Sequence, residues 1–306
     1  MSSYRKTIGI ASEYLFGTEL EFTGVYLSEV CKVLKEKSVP YRFALNHKSR
    51  GFTKYDEWYV DIDSTVTKKV NGEFFGGEVS SRILYDEKKT WLELRYICES
   101  LKELGATIND TCSNHIWVNL SNIKNERYFF EVLAKIITIY EMEIEHFYMG
   151  DAYRKRESSY DYARSLTGHL LNHINNVDFN KPDYFYKFIN DGTTFFTVRD
   201  GVNLQKYQNR KMIEIRYPNG SINESTIQNN INFTLKLILA IVGELFDPSE
   251  LTNIINKDKE IIFNKWIFNE TSLENFEYLA KTISRSAEDL NDFMSQYEKV
   301  LATKKL

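Results

Sequence analysis

The sequence has little of what many catalytic and scaffold signatures require. Its 306 residues hold three cysteines and four prolines, and the net charge is only −4. Cys31, Cys98 and Cys112 are odd in number and far apart, with no Cys-x-x-Cys pair. That argues against a disulfide framework or a thiolate zinc site and fits a reducing cytoplasm. Scarce proline beside 27% charged residues argues against a linker-rich or disordered chain. The mild acidic balance argues against a general nucleic-acid binder. The most apolar run, residues 235–246, carries Lys236 and Glu244 and is too short to span a bilayer. Residues 1–17 lack a cleavable signal pattern, so the expectation is a cytoplasmic protein with no membrane partner. There is no Gly-x-x-x-x-Gly-Lys-Ser/Thr and no Gly-x-Gly-x-x-Gly stretch, which excludes P-loop and Rossmann nucleotide sites. His169 and His173 stand four apart without the Glu of His-Glu-x-x-His, which excludes a zincin.

What the chain does contain is aromatic residues, 20 Tyr and 20 Phe, and a recurring kind of strand. Gly17-Thr18-Glu19-Leu20-Glu21-Phe22 alternates, placing Glu19 and Glu21 on one face and Leu20 and Phe22 on the other. Taken alone it reads as a solvated edge strand. The same polar face then recurs. Residues 58–63 alternate Trp58, Val60 and Ile62 with Tyr59, Asp61 and Asp63. A turn at Asn71-Gly72 predicts a hairpin whose second strand carries Glu78 and Ser80 on one face. Residues 115–121 set Ile116, Val118 and Leu120 against His115, Trp117 and Asn119. Residues 212–217 set Ile213 and Ile215 against Glu214 and Arg216. Further strands are predicted at 41–45, 195–199 and 201–207.

Between the strands, helices are predicted at 25–37, 88–104, 127–149 and 224–247, with Ser221 or Asn223 as cap of the last. Residues 46–56, with His47, Lys48 and Arg50, read as a polar loop, open to being a plain surface loop or a lid. Residues 151–164 are dense in arginine (Arg154, Arg156, Arg164), either a charged surface or an anion-binding segment. Residues 179–190 read as a short aromatic helix. The chain from 248 to 306 is helical. With no repeat and no linker, this gives one α+β domain over residues 1–247 and a helical C-terminal extension over 248–306.

If the polar-faced strands share one antiparallel sheet, its concave face collects Glu19, Glu21, Asp61, Asp63, Glu78, His115, Asn119, Glu214 and Arg216. So many carboxylates need compensating cations. An oxygen-rich donor set with one imidazole suits magnesium or manganese better than zinc. Metal ions with an arginine are equipment for nucleotide phosphates.

The ordered set Gly17-Thr18-Glu19-Leu20-Glu21-Phe22, Asp61-Ile62-Asp63-Ser64, Gly77-Glu78-Val79-Ser80-Ser81, His115-Ile116-Trp117-Val118-Asn119, Val202-Asn203-Leu204 and the run from Ile213 to Ser221 resembles the amidoligase family, relatives of glutamine synthetase and glutamate–cysteine ligase, over roughly residues 14–245. The resemblance implies a curved antiparallel sheet forming a funnel of the glutamine-synthetase catalytic type, flanked by helices. It implies an ATP-dependent carboxylate–amine ligase that makes an amide through an acyl phosphate, on an amino-acid or peptide carboxylate and an amine, with ATP and Mg2+ or Mn2+. By similarity Glu21, Glu78 and Asp63 hold one metal. Glu19, His115 and Glu214 hold the metal on the nucleotide, with Asn119 nearby, and Arg216 steadies the transferred phosphoryl group. Arg199, Arg156, Arg164 and Asn203 are candidates for further phosphate or substrate contacts. One departure stands out: many members have His-x-His where this chain has His115-x-Trp117. Two other readings of the same residues stay open: a metal-dependent hydrolase or nuclease, and a non-catalytic nucleotide- or peptide-binding protein of the same fold.

Overall fold

The computed structural model describes residues 4–44, 56–152, 159–174, 179 and 196–303. Its strands are β1 (Phe16–Tyr26), β2 (Tyr41–Ala44), β3 (Trp58–Asp61), β4 (Lys68–Val70), β5 (Glu73–Ser80), β6 (Asn114–Asn119), β7 (Val202–Asn203) and β8 (Met212–Ile215). The helices are α1 (Leu27–Glu36), α2 (Lys88–Glu103), α3 (Glu126–Tyr148), α4 (Ser159–Tyr162), α5 (Thr167–His173), α6 (Tyr207–Arg210), α7 (Glu224–Val242), α8 (Pro248–Lys257), α9 (Lys259–Phe268), α10 (Leu273–Ile283) and α11 (Ala287–Thr303). The architecture is mixed α+β: an open, mostly antiparallel sheet flanked by helices.

The sheet runs β2-β3-β5-β1-β6-β8-β7, with β4 paired to β5. β1 is therefore central, hydrogen-bonded to β5 on one side and β6 on the other. This overturns the edge-strand reading of Glu19 and Glu21. All pairings are antiparallel except β2 with β3. One face of the sheet is apolar: Leu20, Phe22, Val60, Val79 and Val118 are each fully buried. Helix α1 lies against β1, β2, β3 and β5, and α7 against β6. At about 25 cal/mol per Å2 of apolar surface removed from water, each such side chain contributes on the order of 2 kcal/mol.

Two glycines fix where β5 can run. Gly76 has φ +76, and a Cβ there would lie 2.6 Å from the Val66 carbonyl oxygen. At Gly77 a Cβ would lie 2.6 Å from Leu27 Cδ2 and 2.7 Å from the Asp61 oxygen. Only bare backbone lets β5 approach β3 and α1 this closely, and this brings Glu78 into register with both Glu21 and Asp61.

Several boundaries differ from the sequence expectation. β3 ends at Asp61, and Asp63 stands in the turn that follows, its Oδ1 accepting from the Thr65 amide. The β4–β5 turn is as predicted, with Asn71 and Gly72 both at positive φ. Residues 196–199, expected to extend a strand, form a turn closed by the Thr197 amide donating to Asp200 Oδ2. β7 is only two residues long and leads into α6. Asn223, not Ser221, caps α7, accepting from the Ser225 amide. The proposed lid at 46–56 and the segment 180–190 lie outside the described residues except for Asp56, as do Arg154 and Arg156.

The helices after α7 share an aromatic core with α3 and α7. Phe147 stacks on Phe233 at 4.4 Å between centroids, and Phe276 on Tyr297 at 3.9 Å. No helix among the described residues is long and apolar enough to cross a membrane.

Candidate active site

On the face opposite the apolar layer, register stacks acidic residues in rows. Glu21 on β1 sits across from Glu78 on β5. Glu19, two residues earlier and on the same face, sits across from His115 on β6. Trp117, two residues beyond His115, sits across from Glu214 on β8, which in turn faces Asn203 on β7. Period-two alternation and antiparallel register thus gather residues from five segments that are far apart in sequence.

They form two clusters. In the first, Glu19, His115 and Glu214 bring donor atoms within 4.8 Å of one another. His115 Nδ1 lies 2.9 Å from Glu19 Oε2 and 3.3 Å from Glu214 Oε1. Two carboxylates facing one ring nitrogen favour a proton on it, so Nδ1 donates towards them, while Nε2 lies 2.9 Å from the Ser113 hydroxyl. A cation entering here would replace that proton. Each carboxylate is oriented from behind. Trp117 Nε1 donates to Glu19 Oε1 at 2.9 Å, Asn203 Nδ2 to Glu214 Oε2 at 2.7 Å, and Arg216 Nη1 to Glu214 Oε1 at 2.7 Å. Arg216 also donates through Nε to the Tyr162 carbonyl at 2.8 Å.

The second cluster joins Glu21, Asp63 and Glu78, with donor atoms again within 4.8 Å. Glu21 Oε2 accepts the Ser113 amide at 2.8 Å, Glu78 accepts from the Ser80 hydroxyl, and Asp63 from the Thr65 amide at 2.7 Å. Asp61, expected on the same face, is buried at 1% exposure, with Oδ1 accepting the Ile62 amide. Ser113 spans the two clusters: its amide serves Glu21 and its hydroxyl serves His115. Its alternation with His115 could have singled it out in the sequence.

The donor set fits divalent cations that prefer oxygen. Ligands at about 2.0–2.6 Å from such an ion lie at most about 5.2 Å apart, which both clusters satisfy with little adjustment. Five carboxylates and one imidazole, most with a hydrogen-bonded partner behind them, are the environment such ions require.

Both clusters open into one cleft of about 480 Å3, lined among others by Glu19, Glu21, Asp63, Glu214, Arg216 and Lys206. A second cavity of about 380 Å3 shares Trp117 with it and mixes apolar wall residues (Leu15, Phe16, Ile83 and Met212) with polar ones. Asn119 and Arg210 line this second cavity. Both volumes are in the range of small-molecule sites.

Other arginines stand elsewhere. Arg164 is tied to Asp200 at 2.8 Å and to Thr197 at 3.3 Å, and its side chain is 47% exposed. Arg199 is exposed, with its carbonyl accepting from the Arg164 amide. Neither lines the cleft. Among the described residues the cleft cations are Arg216 and Lys206. Lys206 carried no signal in the sequence because it lies in the turn after β7.

No curated protein matches the chain. The family model described as "Putative amidoligase enzyme" matches residues 12–238. That span carries both clusters, every residue of the cleft wall named above and the strands that hold them. The chain belongs to the amidoligase family.

Proposed function

We propose that this protein is an ATP-dependent carboxylate–amine ligase with the glutamine-synthetase type of catalytic funnel. In this reading residues 1–247 form the catalytic domain and 248–306 a helical extension on it. The observation that carries the reading is the pair of adjacent three-donor clusters in one cleft, with a second cavity of mixed lining beside it. That arrangement suits a nucleotide whose base occupies the second cavity and whose phosphates reach the acidic centre.

Glu19, His115 and Glu214 would hold one Mg2+ or Mn2+ ion, and Glu21, Asp63 and Glu78 a second. Such ions supply charge neutralisation for the phosphates and for the attacking carboxylate. Every other requirement falls to the chain. An oxygen of the substrate carboxylate attacks the γ-phosphorus of ATP, the bond to the bridging oxygen breaks, and ADP leaves with that electron pair. The product is an acyl phosphate. The amine nitrogen then bonds to the acyl carbon, phosphate departs with the C–O pair, and the nitrogen loses a proton. No protein nucleophile is needed. The protein aligns the reactants and sets charge against charge. Arg216, held by Glu214 and the Tyr162 carbonyl, presents a guanidinium towards the transferred group. Ser113 and Trp117 keep His115 and Glu19 in their orientations.

The test is ADP release with magnesium and pooled amino acids and amines. Release that requires an acid and an amine together supports the ligase, and Glu21→Ala should abolish it in a folded protein. Turnover retained by Glu21→Ala would overturn the assigned centre. Phosphodiester cleavage without ATP would favour a hydrolase instead.

A further inference from the structure

Arg216 is engaged by Glu214 and by the Tyr162 carbonyl, whereas the ammonium of Lys206 is not engaged by any anion among the described residues. It lies 4.0 Å from the centroid of the Trp117 ring, and the side chain is half-buried on the cleft wall. The Trp117 ring has two occupied sides: its N–H edge donates to Glu19 Oε1, and its face carries the lysine. An ammonium over an indole face is attracted by the ring quadrupole by about 0.5–2 kcal/mol. The contact fixes where the charge stands but leaves its three N–H donors available. It stands on the acidic cleft beside Trp117, which lines both that cleft and the second cavity.

A ligand that uses both cavities must pass Trp117 with the part that joins its two ends. For a nucleoside triphosphate with its base in the second cavity, that part is the ribose 5′-oxygen and the first phosphate attached to it. Resting on the ligase reading above, we infer that Lys206 is a second phosphate contact of this site beside Arg216, on the nucleoside side of the phosphate chain and preset by Trp117. The Trp117 indole serves two groups at once. Its N–H orients a candidate metal ligand, and its face holds the cation for the phosphates. Lysine suits this task because it offers a compact charge with rotatable donors, without the planar fork that would demand a bidentate partner.

The experiment is calorimetric titration of Mg-ATP into the full-length protein and into Lys206→Met and Lys206→Arg. Methionine keeps an apolar stem against the ring and removes the charge, so the fold is retained. Arginine keeps the charge. The expected result is a Kd for ATP weakened about tenfold or more in Lys206→Met, as for loss of a charge-assisted bond, and within about threefold of wild type in Lys206→Arg. Unchanged affinity in Lys206→Met overturns the assignment. Equal weakening in both variants also overturns it, because packing and not charge would then be responsible. A wild-type protein that binds no nucleotide fails the ligase reading itself, and this inference falls with it.

Discussion

Replacing Glu214 by glutamine tests the Glu19–His115–Glu214 cluster with nearly the same side-chain shape. Glu214 is 3% exposed and has three partners: His115 Nδ1, Arg216 Nη1 and Asn203 Nδ2. Glutamine can still accept from Asn203 if its amide oxygen takes the Oε2 position. What it loses is the charge opposite Arg216, whose side chain is only 15% exposed. Charge-assisted hydrogen bonds are worth roughly 1.5–3 kcal/mol. The Arg216 guanidinium keeps its bond to Tyr162 and some water, so the lower half of that range applies. For a chain of this size, about 1.5–2 kcal/mol corresponds to a fall of roughly 3–8 °C in Tm without metal.

The larger effect lies in the response to a divalent cation. A ligand that binds only the folded state at a hundred times its Kd stabilises by about 2.7 kcal/mol, roughly 5–10 °C here. The wild-type protein should therefore melt several degrees higher with Mn2+ and ATP than with EDTA. In Glu214→Gln one of two anionic donors facing His115 is gone, and the increment should shrink by more than half. Scanning calorimetry of both proteins in EDTA, in Mn2+ and in Mn2+ with ATP separates the two effects. An undiminished metal increment in Glu214→Gln, that is, an equal loss of stability in EDTA and in metal, would refute the view that Glu19, His115 and Glu214 act as one cation site and would reduce Glu214 to a structural partner of Arg216.

Two further outcomes concern the scaffold. Asp289 bonds to Asn232 at 3.0 Å and to Arg5 at 3.0 Å and faces Lys236 at 3.5 Å. Burial pushes its carboxyl up, but Asn232, Lys236 and Arg5 outweigh that and hold it below the ordinary value. A depressed carboxyl stabilises the fold above its unfolded pKa, so this contribution is present above about pH 4 and fades as the pH falls through the folded value. Asp289→Ala leaves the 2%-exposed Lys236 without its carboxylate and should cost about 3–5 kcal/mol in chemical denaturation, with Lys236→Met in the same chain recovering much of it. Gly77→Ala places a Cβ 2.6 Å from Leu27 Cδ2 and 2.7 Å from the Asp61 oxygen. It should lower Tm and, by moving Glu78, reduce the metal increment more than a core truncation of equal cost, such as Leu34→Ala.

How much of this was legible in the sequence depends on the range of the forces involved. Alternation is local, so Glu19 with Glu21, His115 with Trp117 and Glu214 with Arg216 could be assigned to common faces from the chain alone. The Asn71-Gly72 turn could be read because positive φ at two successive residues selects few side chains. Whether a strand lies at an edge or in the middle is set by pairing partners distant in sequence, and this is why β1 could be taken for a solvated edge. Asp63 shows the limit of the periodicity argument. Its alternation with Asp61 predicts a shared face on one strand, yet β3 stops at Asp61, and the turn carries Asp63 to Glu21 and Glu78. Asp61 itself accepts the neighbouring Ile62 amide through Oδ1.

The cationic side of the site was the least legible, for a related reason. Arginine-rich composition in 154–164 marks charge but not direction. The one described guanidinium of that stretch, Arg164, folds back on Asp200, which is held by the turn at 197–200. Lys206 stands alone in sequence, in a turn too short to show a period, and acquires its place only when β7 pairs with β8 and lays it on Trp117. Trp117 read as a departure from the His-x-His pattern because sequence compares residue types. Structure compares what an atom does, and there the indole N–H at 2.9 Å from Glu19 gives that carboxylate the oriented donor that an imidazole could also provide. An indole cannot ligate a cation, so any cation bound at this cluster would draw its ligands from Glu19, His115 and Glu214. The Lys206 ammonium on the ring face would then add positive charge without occupying a coordination position.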